Sequence, residues 1–105
     1  MTKVNITETE IYAYGHSNAP RNEQDNDLVC CAVSTLMCTL AREVEKHWLS
    51  GNTKAYPLVE LKAGDSIVYC EPTRRAKKVV EETFSTIANG FRGLAEQYPD
   101  YIKII

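Results

Sequence analysis

Two long stripes of apolar residues at helical spacing constrain this chain more than any other feature. Val29, Val33, Leu36, Leu40 and Val44 recur at steps of four, three, four and four, which places them on one face of a helix. Ala76, Val80, Phe84, Ile87, Phe91, Leu94 and Tyr98 trace a second stripe. The first predicts a helix over 28–49, with Asp27 as a good N-cap and Gly51 and Asn52 as its stop. Pro72 suits the start of the second helix and Pro99 ends it. Gly90 and Gly93 lie inside that helix, where each costs about 1 kcal/mol relative to alanine. Close helix packing, a break into two shorter helices or a close dimer contact would each account for them.

The remaining segments read as strands. Residues 3–7 alternate with Val4 and Ile6 on one side, and residues 10–14 set Ile11 and Ala13 against Tyr12 and Tyr14, a period of two. They are close enough to form a hairpin about Glu8 and Thr9. Residues 56–61 and 66–70 give two more candidates about a turn at 62–65, and Pro57 puts the first at its start or at a sheet edge. The tail 101–105 alternates Tyr101 and Lys103 against Ile102 and Ile104. The order is β-β-α-β-β-α-β. It predicts a single α+β domain over residues 1–105, a mixed or antiparallel sheet with two helices on one face. Solvent or a partner subunit would meet the other face, and its tyrosines suit either.

Composition narrows the function classes. A formal charge of −2 over 105 residues gives no reason to expect a nucleic-acid or anionic-membrane surface. No run is long and apolar enough to span a bilayer, and the first ten residues lack the apolar core of a signal peptide. The expected setting is the cytosol, where thiols stay reduced. The four cysteines, Cys30, Cys31, Cys38 and Cys70, then read as buried, catalytic or metal-bound. No C-x-x-C pair is present, so a zinc site is poorly supported.

Chemistry concentrates between Gly15 and Ser34. With Asp27 as N-cap, Cys30 is the third helical residue, near unpaired amides and the positive end of the helix dipole. That position favours thiolate over thiol, whose ordinary pKa is about 8.5. The same amides suit an oxyanion formed when sulfur attacks a carbonyl. The Asp27 carboxylate opposes the thiolate unless it is committed to capping or to His16. His16 follows a strand and Gly15, and histidine takes up a proton near neutral pH. Fourteen positions separate it from Cys30, enough for a loop that returns a helix start to a strand end. Ser34 lies one turn beyond Cys30, placed to order the site or to bond the preceding turn. His47 is four turns away, at the helix end where imidazolium suits the dipole. Cys31 and Cys38 are seven apart and read as packing residues, and Cys70 in a strand needs no role. The residues alone leave two readings open: a cysteine–histidine pair, or core cysteines beside an exposed loop histidine.

"GHS" followed by "DLVCCAVS" resembles the ribosomal-processing cysteine protease (Prp) family, whose pattern is approximately G-H-A, a short polar loop, then D-hydrophobic-V-C-A-A-V-S. Gly15, His16, Asp27, Val29, Cys30, Ala32, Val33 and Ser34 fall on it. The closing "GLAEQYPDYIKI" is also similar to the family's C-terminal segment. The resemblance implies a bacterial cysteine endopeptidase that removes a short N-terminal extension from a large-subunit ribosomal protein and needs no metal or organic cofactor. It implies Cys30 as nucleophile, His16 as base, and Asp27, Ser34 and Gly15 in support. It further implies a homodimer and a mobile loop that shifts to admit peptide, here Ser17, Asn18, Ala19, Pro20, Asn22, Asp25 and Asn26.

The chain departs from that pattern at Ser17, where alanine is usual, at Asp25, where glycine is usual, at Cys31, again for alanine, and in a loop about two residues longer. These changes touch the loop or pocket, so they bear on substrate more than on chemistry. A peptidase for a phage capsid or scaffolding protein, and a non-catalytic dimeric binding module, are the alternatives.

Overall fold

The computed structural model describes residues 1–105. The chain runs β1 (Thr2–Ile6), β2 (Glu10–Tyr14), α1 (Leu28–Leu49), β3 (Leu58–Lys62), β4 (Asp65–Tyr69), α2 (Lys77–Gln97) and β5 (Ile102–Ile104). The strands form one sheet in the order β3-β4-β2-β1-β5. β1 and β5 are parallel, and the other neighbours are antiparallel. The predicted element order and the two-helix, mixed-sheet α+β class both hold.

Period-two alternation decides which face of the sheet is covered. Val4, Ile11, Ala13, Val68 and Ile102 point inward and are buried. They meet Val29, Met37, Leu40 and Val44 of α1 and Val80, Phe84, Ile87, Ala88 and Phe91 of α2. α1 lies over β3 and β4, and α2 lies over β2 and β5. The helices touch where Gly90 leaves room for Leu36: a Cβ at Gly90 would sit 2.7 Å from Leu36 Cδ2. Close packing is therefore the role of Gly90, whereas nothing approaches Gly93. On the open face, Tyr12 and Tyr14 stack with ring centroids 4.8 Å apart, and the Tyr12 hydroxyl donates to Asp65 Oδ1 at 2.8 Å.

Several expectations shift. α2 begins at Lys77, not at Pro72. Pro72 bridges to Thr53, the Thr73 amide donates to the Asn52 carbonyl, and the Lys54 amide donates to the Glu71 carbonyl. These long-range bonds hold 71–73 extended, and the helix starts only beyond the turn in which the Ala76 amide donates to the Thr73 carbonyl. β3 is an edge strand starting after Pro57, as its proline suggests, but all five of its residues are exposed.

Cys31 and Cys38 are exposed, not packing residues. At about 100° per residue they project opposite the stripe that buries Val29, Met37, Leu40 and Val44, while Cys30 lies at its flank, half-buried. Cys70 is buried just past β4, and burial pushes its thiol up to about 11. His47 stitches the helices: Nε2 is 2.8 Å from Thr83 Oγ1, and Nδ1 is 3.0 Å from Asn52 Nδ2. No helix is long and apolar enough to cross a membrane.

Candidate active site

The end of β2 presents His16. Gly15 sits at φ +86°, and a Cβ there would come within 2.6 Å of the Met1 carbonyl oxygen, so glycine is required for both backbone and space. The turn is fixed from three sides. Thr2 Oγ1 donates to the Gly15 carbonyl at 3.0 Å, the N-terminal ammonium donates to the His16 carbonyl at 2.8 Å, and the Gly15 amide donates to the Gly64 carbonyl at 2.9 Å.

Asp27 builds the other half. As expected it caps α1, with Oδ1 accepting the Cys30 amide at 3.0 Å. Its second oxygen accepts the Ser17 hydroxyl at 2.5 Å and the Ala19 amide at 3.2 Å. Burial pushes this carboxyl up. Hydrogen bonds from Ser17, from the Cys30 amide and side chain, and from the Ala19 amide outweigh that, so it sits below the usual carboxylate range. The Cys30 amide, an expected oxyanion donor, is thus already engaged by Asp27.

The loop between the two halves is only partly free. Ser17 and Ala19, two of the residues assigned to the mobile loop, are buried with Asp27. Asn18, Pro20, Asp25 and Asn26 are exposed. Asn22 Oδ1 accepts the amides of Gln24 and Asn26, at 3.0 and 2.9 Å. Asn18 and Asp25 adopt positive φ, 55° and 61°. That left-handed geometry accounts for a glycine preference at position 25, and aspartate is among the few other residues that tolerate it.

His16, Cys30, Ser34 and Gly15 line one cleft of about 180 Å³, closed on the far side by the β3–β4 turn from Lys62 to Ser66. Cys30 Sγ has its hydrogen-bond contact with Ser17 Oγ at 3.4 Å, and no hydrogen bond links it to His16 in this arrangement. Ser34 is exposed on the cleft wall; unlike Thr35 and Thr39 it makes no bond to the preceding turn. No group of three or more His, Cys, Asp or Glu side chains is arranged to hold a metal ion.

The sequence profile of the family described as cysteine protease Prp matches residues 1–103. The chain belongs to that family of cysteine proteases. Solved structures of similar fold include the essential ribosomal processing protease Prp from S. aureus in complex with a covalently linked product peptide. Its TM-score is 0.69 at 16% identity, covering 98% of this chain and 94% of that one. The same S. aureus protease with a substrate peptide gives 0.65 at 13% identity, over 99% and 95%. SMU.848 from Streptococcus mutans gives 0.67 at 19% identity, over 98% and 89%. Among curated protein sequences none matches.

Within this Prp-family cleft the hairpin wall escaped the sequence reading. Gly64, at φ +74°, lies flat against His16: a Cβ there would be 2.7 Å from both Cε1 and Nε2 of the ring. A glycine inside a two-residue hairpin turn signals only the turn; its contact with a residue 48 positions away is set by the pairing of β2 with β4. Gly64→Ala is expected to cost about 1–2 kcal/mol from the left-handed backbone and to lower kcat/KM about 10²-fold by displacing the imidazole. Peptide-cleavage kinetics beside a thermal midpoint will check both.

Proposed function

We propose that this Prp-family protease is a cytosolic endopeptidase that trims the N-terminal extension of a bacterial large-subunit ribosomal protein, with Cys30 as nucleophile and His16 as base and acid. The observation that carries this reading is the single cleft into which the start of α1 delivers Cys30 and the end of β2 delivers His16. His16 takes the Cys30 proton, and Cys30 Sγ attacks the peptide carbonyl. The oxyanion is stabilised at the first turn of α1 by the helix dipole and by amides that Asp27 does not occupy. His16 then protonates the leaving amine, and water hydrolyses the thioester, with His16 again as base. Asp27 orders the helix start, and Gly15 allows the turn that places His16. Ser34 borders the channel. The exposed loop residues Asn18, Pro20, Asp25 and Asn26 act as the gate beside which an extended peptide enters. All of this uses groups of the chain itself, with no cofactor.

A second copy of the chain completes the molecule in this reading. β3 is an exposed edge, and Tyr56, Val59 and Leu61 with Ala41 line an open groove between it and α1, a surface suited to self-association. Sedimentation equilibrium is expected to give twice the monomer mass; a monomer at all concentrations would refute the dimer. The departures in the loop, at Ser17 and Asp25, motivate a phage capsid or scaffolding protein as the alternative substrate. Incubation with a ribosomal-protein extension and with phage capsid or scaffolding polypeptides tests the choice. Cleavage of the extension supports the proposal, cleavage of the phage polypeptides alone redirects it, and cleavage of neither favours a binding module.

A further inference from the structure

We propose that Ser17 is a positioning residue that holds Cys30 in its resting thiol form through a directed relay, Cys30 Sγ–H to Ser17 Oγ and Ser17 Oγ–H to Asp27 Oδ2. The inference rests on Cys30 as the nucleophile, and it gives Ser17 a role other than lining a substrate loop. Ser17 is 2% exposed, so water does not compete for its hydroxyl. That hydroxyl has one hydrogen to give. Asp27, held in its ionised form, only accepts, and it lies 2.5 Å from Ser17 Oγ. The Ala19 amide also points its hydrogen at Ser17 Oγ, at 3.4 Å. With its single hydrogen committed to Asp27, Ser17 Oγ meets Cys30 Sγ at 3.4 Å as an acceptor. The sulfur must then supply the proton.

The direction of the relay has a consequence for activation. The oxygen end of the Ser17 dipole faces the sulfur, which favours thiol and opposes thiolate. Attack requires the S–H to turn from Ser17 Oγ to a His16 nitrogen, where the proton transfers to give thiolate and imidazolium. The Ser17 hydrogen stays directed at Asp27 Oδ2. The charged or titratable groups around Cys30 are Asp27 on its own helix, His16 after β2, and Lys62 and Asp65 of the hairpin. The N-terminal ammonium bonds the His16 carbonyl. A Ser17 substitution keeps every one of these groups, and of their hydrogen bonds removes only the one from Ser17 to Asp27.

The test is the pH profile of Cys30 alkylation by iodoacetamide, which reports thiolate. It is read in a Cys31→Ser, Cys38→Ser background so that the two exposed thiols do not contribute. Ser17→Ala is expected to move the half-maximum roughly 0.5–1 pH unit lower, hence about three- to tenfold faster reaction near neutral pH. Ser17→Thr, which keeps the hydroxyl, is expected to restore the parent profile. A Ser17→Ala profile that is unchanged, or moves to higher pH, would overturn the relay. If Ser17→Ala does not fold, the infrared S–H band of the natural protein decides. The Cys30 band, identified by its loss in Cys30→Ala, is expected below that of exposed Cys31 and Cys38, and a band coincident with theirs would overturn the proposal. Neither readout uses a peptide. A protein that shows the shift yet cleaves no peptide would refute the peptidase reading and leave the relay standing.

Discussion

Cys30→Ala is expected to abolish peptide cleavage, with kcat/KM falling about 10⁴-fold or more, while Cys31→Ala changes it less than about threefold. The neighbours differ because the helix separates them. Cys30 lies at the flank of the buried stripe, in the cleft with His16, whereas Cys31 projects to the opposite side and is exposed. His16→Ala is expected to cost about 10²–10⁴-fold, the usual contribution of a positioned general base. Because the two groups act as one unit, the double variant is expected to be no slower than the slower single variant. Steady-state kinetics on the ribosomal-protein extension peptide will measure all four proteins. Independent, additive losses would argue against a shared proton-transfer step.

The largest stability effect is expected at Asp27, which is 8% exposed and is the acceptor for three donors on two segments. Asp27→Ala removes the cap of α1, worth about 0.5–2 kcal/mol. It also takes the acceptor from the buried Ser17 hydroxyl, at about 1–3 kcal/mol for an unpaired polar group, and leaves the Ala19 amide only its 3.4 Å contact with Ser17 Oγ. The combined loss is on the order of 3 kcal/mol, against about 1 kcal/mol for Asp27→Asn, which keeps an acceptor for the cap. The pH dependence follows from the direction of the carboxyl's shift. Its pKa is lower in the folded chain than its ordinary value of 3.8. Its contribution is therefore fully present above that value and is lost as pH falls through the lower, folded-state value. Urea unfolding at neutral pH and near pH 3 is expected to show the gap between natural protein and Asp27→Asn shrinking with acidification. A gap that widens in acid would contradict this assignment.

Local chemistry made much of the site legible in advance. The Asp27 cap followed from a carboxylate two residues before an apolar helical stripe, and the structure forms that bond to the Cys30 amide. Strand alternation correctly turned Val4, Ile11, Ala13 and Ile102 inward. What stayed hidden depends on partners distant in sequence. Pro72 reads as a helix start because its pairing with Thr53 leaves no mark on either segment. Whether β5 runs parallel to β1 is decided by how α2 returns the chain, and the tail pattern fits either direction. Ser17 reads as a polar loop residue, and only the folded loop reveals that it is buried between Asp27 and Cys30. Cys31 and Cys38 differ from expectation for another reason: their seven-residue spacing puts them on one face, but that face lies outside the core, with Cys38 at the edge of the open groove toward β3.

Acid-quenched single-turnover mass spectrometry with the ribosomal-protein extension peptide tests the central claim most directly, using the Cys31→Ala, Cys38→Ala protein to simplify mapping. Attack by Cys30 predicts a transient acyl adduct, equal in mass to the peptide's N-terminal fragment less water, on the segment that carries Cys30. That adduct should decay as product accumulates. Product formation with no adduct, together with wild-type turnover by Cys30→Ala, would contradict the assignment of Cys30 as the nucleophile.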